Sequence, residues 1–185
     1  MTMKKIGKVF GVALLIMSFF TVASWGQEES IGSAAAFEQD TFTLEQMLTY
    51  ALEDEVMAEA EYAAIIKEFG VGTPFTNIIK AEMTHQEAVL SLFEARDIEI
   101  PEFEEEDYIV LPDTLAEIYT VGIQAEINNI AMYDMFLEQE LDMDVRQVFE
   151  ALRNASLNHQ AAFERASQRT SGTGQRGQYG KRNFR

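Results

Sequence analysis

Four long amphipathic segments dominate this sequence and constrain its fold most strongly. Each carries apolar residues at alternating spacings of three and four, the pattern of a helix that buries one face. The helices are expected over residues 43–69, 73–96, 114–141 and 144–167. Because helices of this length bury such stripes best against one another, the pattern predicts an all-α four-helix bundle.

Residues typical of helix ends support these boundaries. Thr43 and Thr114 each begin a capping box, with a Gln or a Glu three residues later. Gly70 is expected to end the first helix. Thr73 is expected to cap the second helix, with Pro74 at its first helical position.

The lengths of the connections predict the topology. The links within the first and the second pair of helices are short, so each pair should form an antiparallel hairpin. The middle link, residues 97–112, could span about 50 Å when extended. A helix of 26 residues is about 39 Å long. The middle link can therefore cross the full length of the bundle.

The two ends of the chain differ in composition from the bundle, residues 43–167. Residues 1–26 combine lysines, one apolar run and small residues, which predicts a signal peptide cleaved after Gly26; an uncleaved membrane anchor is the alternative. Residues 27–42 are interpreted as a linker, and residues 168–185 as a basic, glycine-rich disordered tail. We therefore expect an exported protein, periplasmic or extracellular, without a membrane span after cleavage.

Charge and cysteine content exclude several kinds of function. All 31 acidic residues but only five of the 14 basic ones lie within residues 27–164, which gives this part a formal charge of −26. Such a surface repels nucleic acid and attracts cations. The chain has no cysteine, which excludes disulfides and thiolate-ligated metals.

Each apolar stripe is interrupted near its middle by polar residues at roughly the same depth. These residues are Glu55 on the first helix, Glu82 and His85 on the second, Glu126 and Asn129 on the third, and Ser156 and His159 on the fourth. Buried carboxylates without partners cost several kcal/mol and repel one another. A metal ion would neutralise them, and carboxylate with imidazole suits iron, manganese or zinc. A satisfied polar core without metal is the alternative.

Tyrosines repeat at the same spacing in the two halves of the chain. Glu55 and Tyr62 are seven residues apart, and so are Glu126 and Tyr133. Seven residues are almost two helical turns, so each tyrosine lies on the same face as its glutamate. Both tyrosines are expected to be core residues that hydrogen-bond to a carboxylate.

Glu82 and His85 project from one side of their helix, and Ser156 and His159 repeat their spacing of three. This constellation resembles the carboxylate-bridged di-iron proteins of the ferritin and rubrerythrin superfamily. In these proteins two helices supply one Glu each and two supply Glu-x-x-His. The resemblance implies a ferritin-like bundle whose metal ligands are Glu55, Glu82, His85, Glu126 and His159. Around them it implies Tyr62, Tyr133, Asn129 and Ser156, with Ser156 at the position of the second bridging Glu.

Four stretches are similar to a secreted or membrane-associated ferritin-like family that is catalogued as a domain of unknown function. They are "EDEVMAEAEY", "FTNIIKAEMTHQEAV", "VGIQAEINNIAMY" and "VFEALRNASLNHQAAF". The fourth helix of that family also tends to carry Ser-x-Asn-His, so Ser156 is interpreted as a family trait. The similarity covers about residues 43–167 and specifies no reaction.

Three functions remain open at this stage. The first is an exported oxidoreductase, with iron expected in a di-iron or mixed site and manganese or zinc as alternatives, acting on dioxygen, peroxide or Fe²⁺. The second is a metal-binding module without turnover, because a missing bridging Glu weakens the site. The third is a metal-free bundle that acts through its acidic face or basic tail. Metal ions are the expected partners, nucleic acid is not expected for the bundle, and a homodimer is an alternative to a monomer.

Overall fold

The computed structural model describes residues 30–102 and 109–179, with side chains to residue 170. The predicted signal peptide, residues 1–26, lies outside this part. Over the described residues the chain is all-helical, as predicted, and contains no strand. Five helices lie within these ranges: α1 (Gly32–Ala36), α2 (Leu44–Phe69), α3 (Phe75–Glu94), α4 (Leu115–Leu137) and α5 (Met143–Tyr179). No helix in the described ranges is long and apolar enough to cross a membrane.

The predicted caps set the ends of α2 and the start of α4. The Thr43 hydroxyl accepts from the Gln46 N–H at 3.2 Å, and the Gln46 side chain accepts from the Thr43 N–H at 2.9 Å. Thr114 accepts from the Glu117 N–H at 3.3 Å. Gly70 ends α2 with a φ of +62°, a left-handed conformation that glycine adopts without strain.

The predicted cap of α3 was wrong. Pro74 occupies the N-cap position, and no side chain there accepts a capping hydrogen bond. The Thr76 N–H donates instead to the backbone carbonyl of Gly72 at 3.3 Å. Because a backbone carbonyl satisfies this donor, the hydroxyl of Thr73 is not needed as a cap.

Contacts between α2 and α3 show that these helices are antiparallel. The rings of Tyr62 and Phe75 are 5.8 Å apart, close to the turn that joins the helices. Further from the turn, Glu55 on α2 contacts His85 on α3. The residue number therefore falls along one helix as it rises along the other.

The second pair, α4 and α5, is also antiparallel. The rings of Phe136 and Phe149 are 5.3 Å apart near the turn. Further from it, Glu126 contacts His159. The extended packing between these two helices makes them a second hairpin.

Two hydrogen bonds between α2 and α4 relate the hairpins to each other. Tyr62 bonds to Glu126, and Tyr133 bonds to Glu55, so α2 and α4 run antiparallel. Since α3 is also antiparallel to α2, α3 and α4 run in the same direction. The end of α3 and the start of α4 therefore lie at opposite ends of the bundle.

The apolar interior consists of two cores, one on each side of a polar layer. One core contains, among others, Leu48, Phe93, Phe136 and Phe149, and the other contains Phe75, Ile78, Tyr119 and Phe163. All of these residues except Phe93 belong to the apolar stripes from which the bundle was predicted. The helical period of the sequence therefore predicts which side chains are buried.

Helical structure extends beyond the predicted bundle at both ends. The predicted linker, residues 27–42, contains α1, which packs on α2 and α4. At the other end, α5 continues to Tyr179, past the expected end near Ser167. Ala166 is the last buried residue among the described side chains. The packed part of α5 thus ends where the apolar period ends, and residues 180–185 lie outside the described ranges.

Candidate metal centre

The polar residues of the four stripes meet in the layer between the two apolar cores. Glu55, Glu82 and Glu126 are all buried there. His159 is buried as well, whereas His85 is more open, with 16% of its side chain exposed. The structure thus brings together all five residues that the resemblance implies as metal ligands.

Glu82 lies between the two histidines. Its Oε2 atom is 2.8 Å from Nδ1 of His85, and its Oε1 atom is 3.1 Å from Nδ1 of His159. The two imidazole rings are 6.0 Å apart. One carboxylate therefore contacts both histidines, with one oxygen for each.

Two groups of three residues share Glu82. The first cluster is Glu55, Glu82 and His85, in which Nδ1 of His85 is also 3.0 Å from Oε2 of Glu55. The second cluster is Glu82, Glu126 and His159, in which Nδ1 of His159 is 3.5 Å from Oε1 of Glu126. In each cluster one ligand atom per residue lies within 4.8 Å of the others. Ligand bonds of about 2.0–2.2 Å place donor atoms at most about 4.4 Å apart, so each cluster is close to the size of a metal site.

The tyrosines hold the carboxylates in a crossed arrangement. Tyr133 donates to Oε1 of Glu55 at 2.7 Å, and Tyr62 donates to Oε1 of Glu126 at 3.0 Å. Burial, together with the nearby carboxylates, raises the pKa of both hydroxyls well above the usual value, so both stay neutral donors. Each tyrosine therefore orients the glutamate of the facing helix and ties α2 to α4.

Both histidines are cationic in this arrangement. Burial alone would lower the pKa of His85, but hydrogen bonds with Glu55 and Glu82 outweigh it and raise this pKa to about 9. For His159, burial is likewise outweighed by hydrogen bonds with Glu126 and Glu82, and the pKa rises to about 10. Two imidazolium charges therefore offset part of the negative charge of the layer.

The three carboxylates differ in how readily they ionise. Burial raises the pKa of Glu55, and it also raises the pKa of Glu126. Burial acts on Glu82 too, but the hydrogen bonds from both histidines outweigh it and lower its pKa. Glu82 is therefore the carboxylate that stays ionised most readily.

The polar layer is satisfied by its own hydrogen bonds. Among the described residues, every buried side-chain nitrogen and oxygen has a hydrogen-bond partner. In both clusters the Nδ1 atom of the histidine faces two carboxylates. A metal ion would displace a proton held between these groups, since metal ligands bind in their deprotonated forms.

The other predicted neighbours of the ligands occupy different surroundings. Ser156 is buried on α5, one turn before His159, and adds no carboxylate to the second cluster. The amide of Asn129, in the orientation that satisfies its neighbours, donates to Oδ2 of Asp54 at 2.6 Å and to the carbonyl of Ala125 at 3.3 Å. This amide thus binds an acid outside both clusters, and the expectation that Asn129 borders the ligands stays a prediction.

Two neighbouring acids that the sequence pattern did not single out hold α1 in place. Oε2 of Glu53 accepts from the Gly32 N–H at 2.7 Å, and Oδ1 of Asp54 accepts from the Ser33 N–H at 3.1 Å. A Cβ atom at Gly32 would lie 2.2 Å from Oδ1 of Asp54, so this position requires glycine. Burial raises the pKa of Asp54 to about 7.

Gln86 is a second residue that the sequence pattern did not reveal. Its amide donates to the backbone carbonyl of Glu55 at 3.1 Å and to Oε2 of Glu59 at 2.8 Å. These bonds tie α3 to α2 beside the first cluster. Gln86 therefore sets the position of the Glu55 backbone relative to His85.

Comparisons with known proteins show a fold and no family. No protein-family model matches the chain, and no curated protein matches it. A solved structure with a similar fold is that of hypothetical protein MJ0754 from Methanococcus jannaschii DSM 2661. The TM-score is 0.63 at 21% sequence identity, over 72% of this chain and 85% of that one. At this identity the similarity concerns the fold alone.

Proposed function

We propose that this chain is an exported ferritin-like protein that binds two divalent metal ions, with iron as the metal. One ion would bind in the first cluster and one in the second, and Glu82 would bind both. The observation that carries the proposal is this shared carboxylate, which directs one oxygen to each histidine. A carboxylate with one oxygen near each of two imidazoles can bind one ion through each oxygen, as bridging glutamates do in ferritin-like di-metal proteins.

The helix directions support the ferritin-like arrangement. Two antiparallel hairpins, with α3 and α4 running in the same direction, need a long crossover between the second and third helices of the bundle. Ferritin-like folds have one such crossover. The similar structure of MJ0754 supports a helical fold of this size and adds nothing about metal or reaction.

Charge and ligand type support a pair of ions. Three carboxylates and two imidazoles face one another in a layer where uncompensated charge is costly. Two divalent ions would replace the two Nδ1 protons and more than balance the three carboxylates. Oxygen and nitrogen ligands of this kind suit iron, and manganese or zinc as alternatives.

The residues around the clusters would each have a defined task. Bound iron would supply redox chemistry with dioxygen or peroxide. Tyr62 and Tyr133 would keep the outer carboxylates oriented, and the two apolar cores would exclude water from the layer. The more exposed His85 marks the side from which a small reactant reaches the layer.

Two other functions each have an observation in their favour. Ser156, in the place of a bridging Glu, favours a metal-binding module without turnover, because a second bridging charge is missing. The complete hydrogen bonding of the polar layer favours a metal-free bundle, because the layer is satisfied without an ion.

Metal content and oxygen uptake separate these functions. Protein purified without chelator should contain about two metal ions per chain by elemental analysis, and the chelator-treated protein should regain them in anaerobic calorimetric titrations with Fe²⁺. A chain that binds no Fe²⁺, Mn²⁺ or Zn²⁺ would overturn the proposal in favour of the metal-free bundle. Oxygen consumption upon addition of Fe²⁺ would distinguish the oxidoreductase from the metal-binding module without turnover.

The mass of the exported chain would show whether the predicted signal peptide is cleaved after Gly26.

A further inference from the structure

The outward face of α4 carries no charge over about three turns. Between Glu117 and Asp134 the only charged residue is Glu126, which is buried. Val121 and Ile127 are large apolar residues on this face, 45% and 40% exposed. The exposed residues of this uncharged face are Thr120, Val121, Gln124, Ile127 and Ala131.

This face is an exception on a strongly acidic protein. The exposed face of α3, for comparison, carries Lys80, Glu87 and Glu94 at intervals of two turns. With a formal charge of −26 over residues 27–164, a second copy of the chain would be repelled across most of the surface. The uncharged face of α4 is a place where two copies can approach without that repulsion.

We propose that the uncharged face of α4 is the interface of a homodimer. In a two-fold dimer the same patch is present on both sides, so the two α4 helices would pack antiparallel on each other. With the axis between Gln124 and Ile127, Thr120 of one copy opposes Ala131 of the other. Small side chains then face small ones, and the apolar Ile127 is covered.

At each end of the face two acids meet across the proposed contact, and one of them is paired with a cation of its own chain. The same pairing places Glu117 of one copy opposite Asp134 of the other. Asp134 forms an ion pair with Arg153 of its own chain. Glu117 therefore approaches a paired acid with its cation, instead of a free carboxylate.

The neighbouring surface of α5 extends the contact. A stable interface buries about 800 Å² per partner, more than one helix stretch of about 18 Å provides alone. Leu157, 41% exposed, follows Arg153 by one turn on the side of α5 that reaches α4. Leu157 therefore widens the apolar face beside Ile127.

Sedimentation velocity on the protein purified from the full sequence tests the proposal. The wild type should sediment as a dimer at micromolar concentration, and Ile127→Glu as a monomer with unchanged helix content by circular dichroism. Met83→Glu is the matched control, because Met83 is 50% exposed on α3, outside the face. This control should stay dimeric. A monomeric wild type, or a dimer that survives Ile127→Glu, would overturn the proposal.

A cross-linking experiment identifies the face independently of any destabilised variant. Because the chain has no cysteine, a single introduced cysteine reports on one position. Gln124→Cys should be joined between two chains by a short bis-maleimide cross-linker, because the two copies of position 124 lie near the axis but too far apart for a direct disulfide, and Met83→Cys should not be joined. Cross-linking through position 83 alone would place the dimer contact elsewhere and refute the α4 face.

Discussion

The two clusters contain the same kinds of residue but differ in access and spacing. In the first cluster, 16% of the His85 side chain is exposed and its Nδ1 atom is 2.8 and 3.0 Å from two carboxylates. In the second, 10% of the His159 side chain is exposed and the corresponding distances are 3.1 and 3.5 Å. The first cluster is thus tighter and more open, and the second is looser and more enclosed.

The difference follows from what each helix contributes. α3 supplies both Glu82 and His85, three residues apart, whereas α5 supplies His159 with Ser156 at the equivalent position. The second cluster therefore depends on a carboxylate that belongs to the other hairpin. If metal ions bind here, the first cluster should bind its ion more tightly, and Glu82 should be indispensable for both.

Glu82→Gln should have the largest effect, because it removes the shared ligand. Replacing a residue that only supports a metal ligand typically costs about 10–100-fold in affinity, so loss of a shared ligand should exceed that range for both ions. Elemental analysis and calorimetric titration with Mn²⁺ or anaerobic Fe²⁺ measure the change.

A neighbouring carboxylate provides the control for this substitution. Glu59 lies one turn from Glu55 and bonds to Gln86, outside both clusters. Glu59→Gln should retain about two ions per chain. A Glu82→Gln protein that still binds two ions would show that the clusters do not share this carboxylate.

Replacing each histidine separately should show that the two clusters differ in metal affinity. His85→Ala and His159→Ala should both lower the bound metal, and His85→Ala should lower it more, because it dismantles the tighter cluster. Elemental analysis of the three proteins, prepared side by side, gives the comparison. Unchanged metal content in both variants would rule out the proposed ligands, and a larger loss from His159→Ala would reverse the predicted order.

The metal-free protein should lose stability as the pH rises through the folded-state pKa values of the histidines. A histidine whose pKa is raised by folding stabilises the folded state fully when the pH is below its unfolded pKa, about 6.5. That stabilisation is lost as the pH rises to about 9 for His85 and to about 10 for His159. The unfolding free energy should therefore fall by a few kcal/mol between about pH 6.5 and pH 10. The lowered pKa of Glu82 acts at acidic pH, and the raised pKa values of Asp54, about 7, and Glu55, about 8, lower the stability in the same direction at the start of this range.

Urea unfolding in chelator at several pH values measures this loss. Replacing His85 should remove a part of the loss that extends from about pH 6.5 to about pH 9, and replacing His159 a part that extends from about pH 6.5 to about pH 10. Stability that rises across this range would contradict the cationic state of both histidines.

The parts of the molecule that follow a helical period could be predicted from the sequence. The stripes identify the buried positions, and their polar interruptions at equal depth indicate that Glu55, Glu82 and His159 meet. Spacing within one helix determines the face on which a side chain lies. It does not determine the partner on another helix, which is why the crossed tyrosine bonds appear only in the structure.

The parts that depend on contacts between distant residues could not be predicted. α1 is too short to show a period, and its partners Glu53 and Asp54 lie off the α2 stripe, where acids are normally solvated. Asn129 lies on the α4 stripe, but its hydrogen-bond partner is Asp54, one of these two acids off the α2 stripe. Asp54 therefore takes part in both of these unpredicted contacts, one with α1 and one with Asn129.

The smallest net effect is expected from Ser156→Glu, which would make the two clusters alike. Ser156 is buried one turn before His159, so a carboxylate here adds negative charge to the layer. Without metal the variant should melt at a lower temperature than the wild type, because another buried acid is costly. With Fe²⁺ or Mn²⁺ the melting temperature of the variant should rise more than that of the wild type, since an ion that binds only the folded state stabilises that state.

Thermal melts of both proteins, with chelator and with metal, measure the cost of the buried acid and the stabilisation by the metal. Ser156→Gln matches the size without the charge, so in chelator it should lower the melting temperature less than Ser156→Glu does, and with metal it should lack the larger rise in melting temperature. If Ser156→Glu melts lower by the same amount in both conditions, position 156 does not face a metal ion, and the inequality of the clusters has another cause.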